Sequence, residues 1–280
     1  MIQVDHLTFN YGRRSKVLTD ITLRLPEGHI HGLLGCNGVG KSTLLKLLCG
    51  LLYPTSGSID VDGFAPKERP VALFRQLAFL PEELDLPALS IQCYATVNAP
   101  FYPHFSMEAF KAYCLDLEVD ATRSLHKLSM GQRKKAYLAF LLACNAKILL
   151  LDEPTNGLDI PSKGIFRRLM AAYATEDRTI IISTHQVKDI ENLIDNVIIC
   201  DQQGVIINAS TEELTRHFCF GEVDADAIYT EAGIGGSIGV RENKSGEESR
   251  INLELLFNAA TRERAKMQAI LHAKTNDYVQ

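Results

Sequence analysis

The sequence predicts an α/β protein: a parallel sheet, an all-helical subdomain inserted into it, and a small α/β extension behind it. Three observations carry that expectation. Short apolar, β-branched runs alternate with helical segments in the first 210 residues. The stretch from about residue 87 to residue 146 shows no strand pattern. Charge then changes: residues 211–280 hold 12 acidic and 8 basic residues, net −4, against net −1 for residues 1–210. We therefore expect a core over residues 1–215, with its helical subdomain at about 87–146, and an acidic extension over 216–280.

The elements follow in order. Ile2–Phe9 and Val17–Leu25 read as strands around Tyr11-Gly12, and Pro26-Glu27-Gly28 reads as a turn. His29–Gly35 is an apolar run ending in glycine, and Lys41–Cys49 is helical by spacing, with Gly50 as its stop. Ser58–Val61 is a strand closed by Asp62-Gly63. The inserted segments are helices broken by Pro100 and Pro103. Strands return at Lys147–Leu151 and Arg178–Ser183 around a helix at Pro161–Ala174, and Val197–Cys200 with Val205–Asn208 form a hairpin. In the extension, Gly233–Gly239 is a loop or hairpin, since it does not fit the dinucleotide-binding spacing. Leu253, Leu256, Phe257, Ala260, Met267, Ile270 and Leu271 recur at helical spacing, a packing face or a partner face.

Composition excludes several classes. The net charge of −5 opposes nucleic-acid binding through bulk charge. The most apolar stretch, Ala136 to Ala146, would reach about 16 Å as a helix, against about 30 Å of bilayer hydrocarbon. Asp5 stands where a signal peptide would be basic and then apolar. Seven scattered cysteines without a Cys-x-x-Cys pair read as reduced thiols. A cytoplasmic protein is expected.

Gly35-Cys36-Asn37-Gly38-Val39-Gly40-Lys41-Ser42 matches the phosphate-binding loop pattern between an apolar strand and a helix that begins Lys41-Ser42-Thr43. Glycines let consecutive backbone N–H groups turn toward phosphate oxygens, and the helix start adds its positive dipole end. Lys41 would reach the β- and γ-phosphates, and the Ser42 hydroxyl would ligate Mg²⁺. Cys36 occupies a variable position and has no catalytic role. A second acidic element closes Ile148–Leu151: Asp152, placed to hold Mg²⁺, and Glu153, placed to polarise an attacking water.

Leu128-Ser129-Met130-Gly131-Gln132 lies between these two elements, ahead of an apolar helix. It resembles the LSGGQ signature of the ABC ATPases, with Met130 in place of the first glycine. The resemblance covers about residues 1–215 and rests on five elements in the family's order. It implies that Ser129, Gly131 and Gln132 contact ATP held by a second subunit. It also implies that Tyr11 stacks on adenine, that Gly157-Leu158-Asp159 forms a loop at the dimer seam, and that His185 of Ser183-Thr184-His185 contacts the γ-phosphate. Where the family has a Gln that touches Mg²⁺, this chain has Glu82, which accepts but cannot donate a hydrogen bond when ionised.

The function so implied is ATP binding and hydrolysis by the ATPase subunit of an ABC transporter, with ATP and Mg²⁺ as its cofactors. The subunit would form a homodimer around two ATP and drive separate integral-membrane permease subunits from the cytoplasmic face of the membrane. The single cassette without membrane spans resembles bacterial transporters whose two halves are separate chains, and the FYPHF segment at 101–105 with the STH ending at His185 resembles exporter-type systems. A soluble family member acting on ribosomes or DNA is the alternative. The single phosphate loop, its short spacing to the signature and the acidic charge weigh against it.

Overall fold

The computed structural model describes residues 1–12, 15–223, 227–233 and 236–275. Its core is a six-stranded sheet in the order β5-β6-β7-β3-β8-β9. Here β3 is Ile30–Leu34, β5 Leu77–Leu80, β6 Ile148–Asp152, β7 Thr179–Thr184, β8 Asn196–Asp201 and β9 Gly204–Ser210. The strands run parallel except β9, which pairs antiparallel with β8 through the predicted hairpin. β3, β6 and β7 are buried along their whole length, which explains their near-continuous apolar sequences.

A smaller antiparallel sheet, β2-β1-β4, is built from β1 (Ile2–Gly12), β2 (Ser15–Leu25) and β4 (Ser56–Val61). Its inward residues Ile2, Val4, Leu7, Leu23 and Val61 share one core with Leu44, Leu45 and Leu48 of α1 (Lys41–Leu48). α1 is thus held between the two sheets, and the loop before it is fixed at the carboxyl end of β3. A short helix, α2 (Val71–Arg75), leads into β5. Neither α2 nor β5 was legible in the sequence, because four or five residues give too short a window for periodicity.

Between β5 and β6 the described residues form helices α3 (Ile91–Asn98), α4 (Met107–Asp116) and α5 (Met130–Ala143), as expected. Ser90 and Ser106 cap α3 and α4 by accepting hydrogen bonds from Cys93 N and Ala109 N. Phe110, Leu117, Phe140 and Leu142 join these helices to the main core. α6 (Ile160–Tyr173) connects β6 to β7.

The extension is α7 (Thr211–His217), the antiparallel sheet β10-β12-β11 (Phe218–Glu222, Gly236–Glu242 and Tyr229–Gly233), α8 (Leu253–Arg262) and α9 (Arg264–Thr275). Gly233 pairs with Gly236, so the glycine-rich segment is a hairpin, with residues 234 and 235 outside the described residues. The apolar stripe turns inward. Leu253, Leu256, Ala260, Met267 and Leu271 are buried in the same core as Ile199, Ile206 and Leu214, and α8 packs on both β8 and β9. The stripe is a packing face, with Phe257 and Ile270 half-buried against the same core. Hydrogen bonds from Arg264 to Asp201 of β8 and from Leu253 N to Glu191 of the β7–β8 connection tie the extension to the core.

Candidate functional site

The site lies at the carboxyl end of the parallel strands, where α/β sheets place their ligands. Two clefts meet there. One, of about 470 Å³, is lined by Tyr11, Val17, Asn37, Gly38, Gly40, Lys41, Ser42, Thr43, Glu82 and Glu153. The other, of about 720 Å³, shares Ser42 and Glu82 and adds Asp152, Lys46, Phe74, Phe79 and Tyr102.

The loop between β3 and α1 follows its glycines. Gly38 and Gly40 adopt φ of 83° and 102°, a region that side chains with a Cβ rarely enter. Gly40 is the N-cap of α1 and carries no side chain to cover the first N–H groups, which leaves them open to an anion. Lys41 is buried. Its Nζ donates to the Gly35 carbonyl at 2.7 Å and the Cys36 carbonyl at 3.3 Å, and lies 3.8 Å from Glu153 Oε1. Val39 is buried behind the loop, and the Cys36 side chain is exposed. The Tyr11 hydroxyl meets Thr43 Oγ1 at 3.3 Å, while its ring stands edge-on to Phe9 and is 59% exposed. That leaves a ring face free to stack on a planar base.

β6 and β7 run parallel in register, with Asp152 beside Ser183, and this pairing builds the acidic part. Ser183 Oγ donates to Asp152 Oδ1, and both residues are buried. Glu153 adopts φ of 46°, a strained value for a residue with a long side chain. Its carboxylate is held by three donors: Thr184 Oγ1 at 3.1 Å to Oε2, and His185 N at 3.0 Å and His185 Nδ1 at 2.8 Å, both to Oε1. Beneath the turn, Lys134 Nζ donates to the Glu153 carbonyl at 2.7 Å.

The residues fit a nucleotide-borne Mg²⁺. Ser42, Glu82 and Asp152 present oxygen atoms to one cleft, the donor type a hard divalent cation takes. Among the described residues no cluster of three or more His, Cys, Asp or Glu could hold a metal alone.

The signature residues stand apart. Ser129 caps α5 in a reciprocal box: Gln132 N donates to Ser129 Oγ at 3.3 Å, and Ser129 N donates to Gln132 Oε1 at 3.1 Å. The Gln132 side chain is thereby turned back onto its own helix start. Asp159 caps α6 by accepting from Ser162 N at 2.9 Å, and hydrogen bonding from the Ser162 side chain and backbone holds its carboxyl below the usual range. Ser129, Gly131, Gln132 and Asp159 line neither cleft. The structure instead packs signature and seam loop together: a Cβ on Gly131 would sit 2.4 Å from the Gly157 carbonyl, and one on Gly157 2.5 Å from Met130 Cε.

A family model described as ABC transporter matches residues 18–156. The ABC transporter ATP-binding protein NatA of Bacillus subtilis (strain 168) is 31% identical over 208 residues, covering 71% of this chain and 84% of that protein. The chain belongs to the ABC transporter ATP-binding family. It is an ATP-binding, ATP-hydrolysing cassette of that family, as the resemblance implied. The energy-coupling factor transporter ATP-binding protein EcfA of Methanosphaera stadtmanae is similarly close, 32% identical over 216 residues, covering 71% of this chain and 78% of that protein. A solved ATP-binding subunit of an ABC transporter superposes with a TM-score of 0.70 at 24% identity, covering 77% of this chain and 92% of that one, a likeness of fold.

Sequence reasoning missed three contributors to the site. Ser183 and Thr184 read as the end of a strand, and only the register of β7 against β6 gives them the two carboxylates as partners. Lys134 belongs to no motif. Helical spacing sets it on one stripe with Leu138 and Leu141, which are buried, and that was the available signal.

Proposed function

We propose that this cassette binds and hydrolyses ATP in two composite sites between two copies of the chain, and that closure of the pair drives integral-membrane permease subunits. In this reading Tyr11 stacks on adenine. Lys41 exchanges its carbonyl partners for phosphate oxygens, and the open N–H groups of the loop and of α1 bind the same phosphates. Ser42, Asp152 and Glu82 hold Mg²⁺. When bound, the ion neutralises charge on the β- and γ-phosphate oxygens. Glu153 takes a proton from the attacking water, and His185 fixes its orientation through Nδ1 while facing the γ-phosphate. Ser129 and Gly131 of the second copy cap the nucleotide. The Ser129 oxygen already accepts from Gln132, so its hydrogen remains available to a phosphate oxygen.

The observation that carries this reading is the placement of one carboxylate, Glu153, under three donors on the wall of a cleft that also holds Lys41 and Ser42. The larger cleft suits the permease. Leu51, Phe74, Phe79 and Tyr102 line it and Phe101 beside Tyr102 is 65% exposed, an apolar seat for a segment of a membrane subunit. Among the described residues no helix is long and apolar enough to cross a membrane. We therefore assign the protein a peripheral position on the cytoplasmic face. Substrate and direction of transport belong to the membrane subunits.

Glu153→Gln tests the reading. The variant should bind ATP normally, lose about 10²–10⁴ in turnover as expected for a missing general base, and accumulate as an ATP-bound dimer in size-exclusion chromatography. Near-normal turnover would sink the assignment of Glu153.

A further inference from the structure

We infer that Lys134 is a positioning residue for hydrolysis: its buried ammonium fixes the backbone turn that carries Glu153, and it does so from the helix whose first residues are the signature. The inference rests on the reading of Glu153 as the base. Lys134 is 2% exposed, yet among the described residues its hydrogen bond goes to one atom, the Glu153 carbonyl oxygen, at 2.7 Å. That oxygen also accepts from Asn156 N at 3.2 Å, and Glu153 N donates to the Ser183 carbonyl at 3.0 Å. The peptide groups of a residue held at φ 46° are thus pinned on both sides, which a left-handed glutamate requires.

The placement is costly for a purely packing role. Burial pulls the Lys134 ammonium below its usual basicity, against the opposing pull of Glu82, Glu153 and Asp152. A hydrocarbon of equal length would fill the same space without desolvating a charge. What the ammonium adds is a charge-assisted hydrogen bond to the main chain of the catalytic turn.

Two further contacts give the same helix a grip on the segment after Glu153. Gly131 packs against the Gly157 carbonyl so closely that a Cβ would not fit, and Lys135 Nζ donates to Ser162 Oγ at 3.3 Å. The start of α5 therefore holds residues 153, 157 and 162 at three points, and Lys134 is the point on the catalytic residue itself.

The test uses the intact protein and two readouts, steady-state turnover and affinity for N-methylanthraniloyl-ATP. Lys134→Met keeps the volume and removes the donor. Its turnover should fall about tenfold to a hundredfold, the rate equivalent of one charge-assisted hydrogen bond, with affinity within about threefold of wild type. Lys134→Arg should recover most of the turnover, and Lys134→Gln serves if the Met variant does not fold. Wild-type turnover in Lys134→Met, or affinity falling in step with turnover, would overturn the inference. Glu153→Gln is measured alongside. If it loses turnover and Lys134→Met does not, this inference alone fails; if it keeps turnover, the assignment of the base fails and this inference with it.

Discussion

The two ends of the central sheet carry similar side chains and use them differently. At the carboxyl end, Ser183 bonds to Asp152, Thr184 and His185 bond to Glu153, and Lys41 forms an ion pair with Glu153, all around open clefts. At the amino end, His31 Nε2 meets the Pro26 carbonyl at 2.9 Å, Asp195 Oδ1 accepts from Ile30 N at 2.8 Å, and Lys147 Nζ meets Asp62 Oδ1 at 2.8 Å and Glu27 Oε2 at 3.3 Å. The amino-end groups turn to the backbone beside them or to the Asp62 and Glu27 carboxylates. The carboxyl-end groups sit beside a glycine loop and an uncovered helix start, which can offer their partners to a ligand. A charged residue at a strand end is therefore read by which end it occupies.

The sharpest way to break this contrast is Lys41→Met. Removing a cation aimed at two phosphates should weaken ATP-analogue binding by about a hundredfold or more in a fluorescence titration, since each charge-assisted bond contributes about 1.5–3 kcal/mol. Unchanged affinity would place the phosphates elsewhere.

At the amino end the largest effect is on stability, through His31. Burial pushes this imidazole down to about 4 from the ordinary 6.5, and among the described residues its Nδ1 has no hydrogen-bond partner. Protonation would bury both a charge and an unpaired N–H. Because the folded-state pKa lies below the unfolded one, the stability is fully present above pH 6.5. It is lost as pH falls from 6.5 toward 4, where the unfolded chain binds the extra proton. The loss is about 3 kcal/mol for this one group. Urea melts at pH 7 and pH 5 should show His31→Gln less acid-sensitive than wild type, with ATP turnover at pH 7 retained. Equal sensitivity would remove His31 from the account.

The smallest effect is expected at Lys147. Its bonds to Asp62 raise its own pKa, and they hold the Asp62 carboxyl below its ordinary value although burial pulls that group up. Both side chains are partly exposed, so Lys147→Met should cost about 1 kcal/mol or less in a thermal melt and leave turnover unchanged. A large loss of turnover would show that the two ends are coupled.

Much of the carboxyl end was legible in the sequence because its motifs are local. The glycine loop, the strand before it, the helix after it and the Asp152-Glu153 doublet each fall within a few consecutive residues, and the structure brings them together. The contacts between distant segments were not legible. Nothing around Gly131 announces the Gly157 carbonyl, and nothing around Lys134 announces the Glu153 turn. Both depend on how α5 lies against the loop after β6. The three-stranded sheet of the extension was hidden for a similar reason: β10, β11 and β12 are short, glycine-bearing and only partly buried, so they lack a clear alternation.

The way α8 and α9 close over β8 and β9 has a consequence for biosynthesis. Leu253, Leu256, Ala260 and Met267 share one core with Ile199 and Ile206, so the sheet keeps an uncovered apolar face until those residues leave the ribosome. At about 5–20 residues per second that interval lasts some seconds, during which the nascent cassette carries its phosphate loop and catalytic doublet but not its cover. A chain halted near residue 217 would hold the motifs for chemistry and still be an aggregation-prone product, because the last helices serve the solubility of the sheet that the first helices only half enclose.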